Sequence, residues 1–167
     1  MLELKRVDLS EIDMAIAIIE GAKTHLKEQG VNQWQNGYPN NNSIKEDILN
    51  NRGYFIIEEG NILGYVCIDY AGEKAYDDLK GNWSLDKDYV LVHRMAFAGE
   101  SRGKKLSTEA FQLVENLSKE KNINYFRIDT AVDNLKMRHI LEKNNFKYCG
   151  VISYDDGERL AYDKSFE

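Results

Sequence analysis

Proline is almost missing: Pro39 stands alone in 167 residues, so no proline-rich linker divides the chain. At that length one sizeable core fits and two comfortable ones do not, and residues 1–167 are read as a single domain. Cysteine is scarce as well. Cys67 and Cys149 lie far apart with no CxxC spacing, which excludes a disulfide scaffold and a zinc knuckle and suits reduced thiols in a cytoplasmic protein. No apolar run approaches the roughly 20 residues of a membrane helix. The first twenty residues set Glu3, Lys5, Arg6, Asp8 and Glu11 among apolar neighbours, so neither secretion nor membrane insertion is expected. Basic side chains are the minority, 22 against 28 acidic ones, for a net charge of −6. That balance argues against a protein that works by neutralising nucleic-acid phosphates, and its field suits a small cationic or amine substrate.

What is present is a succession of strand-like and helix-like segments. Leu2, Leu4 and Val7 open a strand; Asp8 and Ser10 then offer caps for a helix with Ile12, Ala15, Ile16, Ile19, Ala22 and Leu26 at helical spacing, stopped by Gly30. Residues 31–42 hold Pro39, five asparagines, Gln33, Trp34 and Tyr38, a loop with adhesive side chains. Ser43 with Glu46 predicts a capping box for a short helix ending near Arg52. Tyr54–Glu58 and Ile62–Tyr70 read as strands joined at Gly60-Asn61, and Ala71–Asp88 as an exposed polar excursion. Tyr89–Ala98 is the strongest strand, since neither of its faces is consistently polar, as in a strand covered on both sides. A helix striped by Leu106, Ala110, Leu113, Val114 and Leu117 follows, then a strand over Tyr125–Thr130 and a helix from about Asn134 to Asn144. Two strands near Phe146–Tyr154 and Arg159–Phe166 close the order β-α-α-β-β-β-α-β-α-β-β.

The segment Phe97 to Ser107 joins the strongest strand to a helix N-terminus, a junction that aims unpaired backbone N–H groups at one point and suits an anion. Arg102, Lys104 and Lys105 concentrate positive charge there, and Gly103 lets the backbone come close to a phosphate. A solvated basic turn is the plainer reading, but open α/β sheets bind ligands at such a turn. A Walker A loop is excluded by spacing: Gly99 to Gly103 is one residue short, and Lys105 stands where Ser or Thr should follow Lys104. The dinucleotide fingerprint G-x-G-x-x-G is absent.

Arg102-Gly103-Lys104-Lys105-Leu106-Ser107 resembles the [R/Q]-x-x-G-x-[G/A] signature of the GNAT N-acetyltransferase superfamily, and His93-Arg94-Met95-Ala96-Phe97 before it is similar to that family's bulged strand. Asp129 to Phe146 is similar to the second family motif, an asparagine, here Asn134, opening a helix that ends in G-F. Lys105 replaces the family's characteristic glycine, Ser107 its usual Gly or Ala, and Asn145 the glycine before Phe146. The last change is mild, because asparagine tolerates left-handed φ. The resemblance covers nearly the whole chain. It implies a bacterial-type small acetyltransferase with an α/β (α+β) single-domain GNAT fold: a mixed, mostly antiparallel central sheet of about seven strands flanked by about four helices.

It also implies the chemistry: transfer of an acetyl group from acetyl-CoA to a primary amine, of a small molecule or a peptide, by direct attack on the thioester. A catalytically degraded CoA- or metabolite-binding module is the alternative. By the same resemblance the backbone of Met95, Ala96 and Phe97 pairs with the pantetheine arm. Arg102 with the amides of Gly103, Lys104, Lys105, Leu106, Ser107 and Thr108 holds the diphosphate, and Asn134 reaches the cofactor. A backbone N–H near Phe97 is placed to stabilise the developing oxyanion, a contribution of ~3 kcal/mol. A protonated amine, with pKa ~10.4 if lysine-like, must lose a proton to a base. Asp129 aligns with a position that carries a carboxylate base in some members, and serves equally as a cap of the turn toward Asn134. His93 is the other candidate, its plainer role being a packed strand histidine. Leu141 stands where the family's tyrosine acid is usual. Gln33, Trp34 and Tyr38 fall in the loop that borders the acceptor site in the family and are expected to line it; Trp34 as a lid on the core is the plainer role. His139 and Glu142 share a helix face without a third ligand, so no metal is expected. An exposed final strand offers an edge for a homodimer.

Overall fold

Strand β1 (Leu2–Arg6) runs antiparallel to β2 (Gly53–Glu58), and β2 turns back antiparallel into β3 (Asn61–Asp69). The computed structural model describes residues 1–102, 106–155 and 157–167. The chain falls into two compact units, one of Met1–Ile68 with Val92–Leu113, the other of Asp69–Leu91 with Val114–Glu167.

In the first unit, Asp8 accepts the Ser10 N–H and Glu11 accepts the Asp8 N–H, a capping box on a short 3-10 turn that feeds directly into α1 (Ile12–Glu28). Ala15, Ile18, Ile19 and Ala22 form the buried stripe of α1, and Gly30 ends it at φ 74. Helix α2 (Asn41–Leu49) begins earlier than predicted: Asn40 is its cap, accepting the Ser43 N–H at 2.9 Å, while Ser43 Oγ accepts the Asn40 N–H at 3.3 Å. The expected box from Ser43 to Glu46 gives way because an asparagine upstream is at least as good an acceptor. The hairpin turn is Glu59-Gly60, both left-handed at φ 49 and 82, rather than Gly60-Asn61. Ile44 and Ile48 of α2 join the α1 stripe, Phe55 and Tyr65 in one apolar cluster. Each fully buried Ile or Phe side chain of this cluster contributes about 1.5–3 kcal/mol.

Strand β5 (Val90–Phe97) passes into this unit and follows β3 in the strand order β1-β2-β3-β5. The Ala98 N–H donates to the Leu63 carbonyl at 2.8 Å. Glycine is required at position 64, where a Cβ would stand 2.6 Å from the Ala96 carbonyl oxygen. A 3-10 turn at Gly99–Ser101 leads on toward α3 (Leu106–Lys119).

The second unit orders its strands β5-β6-β8-β7-β4, with β4 at Lys80–Gly81, β6 at Tyr125–Ala131, β7 at Lys147–Tyr154 and β8 at Gly157–Ser165. The β6–β8, β7–β8 and β4–β7 ladders are antiparallel, and β5–β6 is parallel. The fold is therefore mixed α/β and mostly antiparallel, and the described residues hold the expected four helices and one strand more than the seven expected, the two-residue β4. The final strand is no edge: β8 is paired on both sides, which removes the basis for a homodimer through it.

The excursion Ala71–Asp88 is not exposed throughout either. Tyr76 is 1% exposed and packs with Leu91, Ile152 and Ala161. The Arg127 guanidinium lies 4.4 Å from the ring centroids of both Trp83 and Tyr89, and donates to the Leu85 carbonyl at 2.7 Å. Buried Asp163 accepts the Ser84 N–H at 2.7 Å and its hydroxyl at 2.8 Å. Side chains distant in sequence supply these partners, which is why local polarity misreads the segment. Helix α4 (Leu135–Lys143) is capped by Asn134, whose Oδ1 accepts the Met137 N–H at 3.1 Å. It closes in a Schellman motif: Asn145 sits at φ 70, and the Asn145 and Phe146 N–H groups reach the Glu142 and Leu141 carbonyls.

Candidate active site

Within β5, the backbone of Arg94 is left-handed at φ 52. For a residue that is not glycine this conformation costs energy and requires the surroundings to hold it. They do so through the side chain. Arg94 Nε donates to Asp47 Oδ2 at 2.8 Å and Nη2 to Oδ1 at 2.5 Å, with a further contact from Nη2 to Cys67 Sγ at 3.4 Å. Asp47, on α2, is 1% exposed and also accepts the Tyr65 hydroxyl at 2.7 Å. Burial and the Asp47 charge hold the Tyr65 phenol far above its usual range. Arg94 Nη1 donates to the hydroxyl of Tyr38, so one of the expected acceptor residues is tied to the residue next to His93. Burial also raises the Tyr38 hydroxyl. Trp34, left-handed at φ 66, packs against the same apolar cluster that contains Ala96, while Gln33 beside it is half-buried.

His93, Met95 and Phe97 are half-buried along β5, and Ala96 is buried. Beyond them, Arg102 lies near α1, where a Cβ on Gly21 would meet its Nη2 at 3.2 Å. Gly103, Lys104 and Lys105 lie outside the described residues. Leu106, Ser107 and Thr108 are the first described residues of α3, and the leading N–H groups of a helix lack intrahelical partners. Just before the turn, Ser101 Oγ is buried with no hydrogen-bond partner among the described residues. A helix start, an arginine and an orphaned hydroxyl make a donor set that fits a diphosphate such as that of CoA.

In the second unit, β5 and β6 pair in parallel at Val90 with Phe126 and Leu91 with Arg127. Asp129 lies further along β6, and its Oδ2 accepts the Tyr76 hydroxyl at 2.7 Å and that of Tyr154 at 3.4 Å. Burial raises the carboxyl above its ordinary value; the Tyr76 hydrogen bond and the Arg159 charge act the other way, and Glu73 adds to the rise. Tyr154 is pushed above its usual range by burial and by the Asp129 charge. Asn134, in the same unit, spends its Oδ1 on capping α4. Leu141 is fully buried, a core position with no hydroxyl to offer. Among the described residues no group of three or more His, Cys, Asp and Glu side chains is placed to hold a metal ion, and no helix is long and apolar enough to cross a membrane.

Asp47, Arg94 and Tyr76 were not singled out by the sequence. The signals were an arginine inside the mostly apolar run from Val90 to Phe97, and three aromatics, Tyr76, Trp83 and Tyr89, in a mostly polar stretch.

The model of the acetyltransferase (GNAT) family matches residues 19–146. Among solved structures, the chain is similar to a GNAT-family acetyltransferase from Streptococcus agalactiae 2603, at 35% identity over 99% of this chain and 96% of that one, with a TM-score of 0.90. A GNAT-family acetyltransferase from Listeria monocytogenes 4b F2365 is 18% identical over 99% and 95% of the two chains, TM-score 0.80. Aminoglycoside acetyltransferase AAC(6')-Ib, crystallised with coenzyme A, is 18% identical over the same shares, TM-score 0.70; these two likenesses are of fold. No curated protein sequence matches the chain.

Proposed function

This chain belongs to the GNAT acetyltransferase family and is an acetyl-CoA-dependent acyltransferase, and from that premise we propose that its acceptor is a primary amine, of a small molecule or a peptide, with Asp129 as the base. When bound, acetyl-CoA supplies an acetyl group activated as a thioester. The overall balance is one ammonium and one thioester giving the amide, free CoA thiol and one proton.

The observation that carries the acceptor reading is the Asp129 carboxyl. Burial raises its affinity for a proton, bringing it closer to that of an ammonium and making it a better base than an exposed aspartate. Arg102 and the helix start at Leu106, Ser107 and Thr108 support binding of the diphosphate, joined in this reading by Gly103, Lys104 and Lys105. The backbone of Met95, Ala96 and Phe97 takes the pantetheine arm, Asn134 adds a cofactor contact, and Gln33, Trp34 and Tyr38 serve the acceptor. His93 is kept as the second candidate base. A CoA-binding module without catalysis is the competing reading, and buried Leu141 at the position of the family's tyrosine acid is what favours it. A thiol is a fair leaving group, pKa ~8.5 for cysteine, so losing an acid slows transfer without abolishing it. Thiol release from acetyl-CoA across a panel of primary amines separates the two: amine-dependent release supports the transferase, and CoA binding with no release under any amine supports the module.

A further inference from the structure

Asp129 is gripped by one oxygen. Tyr76 and Tyr154 both direct their hydroxyls at Oδ2, at 2.7 and 3.4 Å, and among the described residues no hydrogen bond reaches Oδ1. The two phenols come from different elements, Tyr76 from the 3-10 turn Lys74–Asp78 and Tyr154 from the end of β7. Tyr76 is itself fixed, 1% exposed, with its ring centroid 5.2 Å from that of Trp83 and 6.0 Å from that of Tyr89. Burial, and then the Asp129 charge, keep its hydroxyl protonated far above the usual tyrosine range. It is therefore a permanent donor. Around the carboxyl the other charged groups are Arg159, which favours the carboxylate, and Glu73, which opposes it.

We propose that Tyr76 is a positioning residue for acyl transfer: its buried hydroxyl, backed by that of Tyr154, fixes Oδ2 of Asp129 so that Oδ1 is the atom that takes the acceptor's proton. This rests on the reading of Asp129 as the base. In that step an N–H bond of the ammonium breaks and an O–H bond forms at Oδ1, and nitrogen keeps the electron pair. That pair then makes the C–N bond at the acetyl carbonyl, the C–S bond breaks with its electrons on sulfur, and the second proton lost by nitrogen ends on that thiolate, giving amide and CoA thiol while Oδ1 returns its proton to water. Both tyrosine O–H bonds stay intact, so neither phenol is the acid for the departing thiolate.

Tyr76→Phe removes the hydroxyl and keeps the ring, and the hydrogen bond from Trp83 Nε1 survives because it goes to the Tyr76 backbone carbonyl at 2.9 Å. Tyr125→Phe is the structural control, since Tyr125 makes another buried tyrosine–aspartate bond in this unit, to Asp163 at 2.6 Å. Carbon-13 NMR follows the Asp129 carboxyl across pH in the full chain, alongside melting curves and thiol-release kinetics with the best amine of the panel. Tyr76→Phe is expected to move the Asp129 titration to higher pH and to lower kcat about tenfold with the KM for acetyl-CoA unchanged. Tyr154→Phe is expected to do the same to a lesser degree, and Tyr125→Phe to lower Tm while moving neither. An unmoved Asp129 titration in Tyr76→Phe, or a kcat loss that Tyr125→Phe matches, overturns the proposal. Asp129→Asn separates the two readings: wild-type turnover there removes the base and the role of Tyr76 together. Lost turnover with Tyr76→Phe behaving as wild type removes only the role of Tyr76.

Discussion

Arg94 and Asp47 form a two-pronged pair, Nε to Oδ2 at 2.8 Å and Nη2 to Oδ1 at 2.5 Å, with side-chain exposures of 11% and 2%. The pair anchors the left-handed residue of β5 to helix α2. Taking away one partner strands the other as a buried charge, a loss of about 3–5 kcal/mol in comparable cases. Asp47→Ala is expected to lower Tm by about 6–20 °C in thermal unfolding followed by circular dichroism. A double variant, Asp47→Leu with Arg94→Met, is expected to recover much of that loss, because the stranded charge goes too. A Tm within about 2 °C of wild type for Asp47→Ala would show that the pair does not hold the strand.

Asp129 also makes stability depend on pH. Burial raises the Asp129 carboxyl above its ordinary 3.8, so the folded chain keeps this proton at pH values where the unfolded chain has released it. Its stabilising contribution is complete below about 3.8 and is lost as pH rises through the folded value. Asp129→Asn abolishes that loss, and its Tm relative to wild type is expected to climb through this window and to be positive at pH 7. Turnover is expected to fall about 10²–10⁴-fold in the same variant. Parallel Tm curves for the two proteins between pH 4 and 7 would contradict the assignment.

Both thiols are expected to be inert in the folded state. Cys67 is 0% exposed and Cys149 8%, and burial with the nearby Asp163 pushes the Cys149 thiol up to about 12. A chromogenic disulfide reagent should find almost no reactive thiol in the native protein and both in urea. Rapid native labelling of either cysteine would contradict the described burial.

Trp34 links the loop of residues 31–42, proposed to serve the acceptor, to the core. It packs against the first unit's apolar cluster from a left-handed backbone. Trp34→Ala is expected to raise the acceptor KM, to leave acetyl-CoA affinity nearly unchanged, and to lower Tm by several degrees through lost packing. Equal loss of affinity for both substrates would reject a role confined to the acceptor.

The elements that the sequence discloses are those with a local cause. Helix α1 has a stripe at helical spacing and a glycine stop, α4 has Asn134 as its cap, and Asn145 takes the left-handed exit that glycine would otherwise fill. The proposed CoA loop rests on an equally local pattern, a basic turn between strand and helix. What was hidden depends on partners far along the chain. Arg94 finds Asp47 47 residues away, Tyr76 finds Asp129 53 residues away, and Ser84 finds Asp163 79 residues away. Polarity alone therefore marked Ala71–Asp88 as solvated, although Tyr76 lies in the core. The misplaced cap of α2 is a smaller case: Asn40 and Ser43 both make good caps, and spacing does not choose between them.

The proposed binding of CoA by Arg102 and the start of α3 is tested most directly by calorimetry of the full chain with CoA. Saturable heat is expected, with a Tm increase that grows with CoA concentration, and Arg102→Ala should weaken binding about tenfold or more without lowering the Tm of the free protein by more than a few degrees. No heat and no rise in Tm at millimolar CoA, with a protein that melts cooperatively, would contradict it.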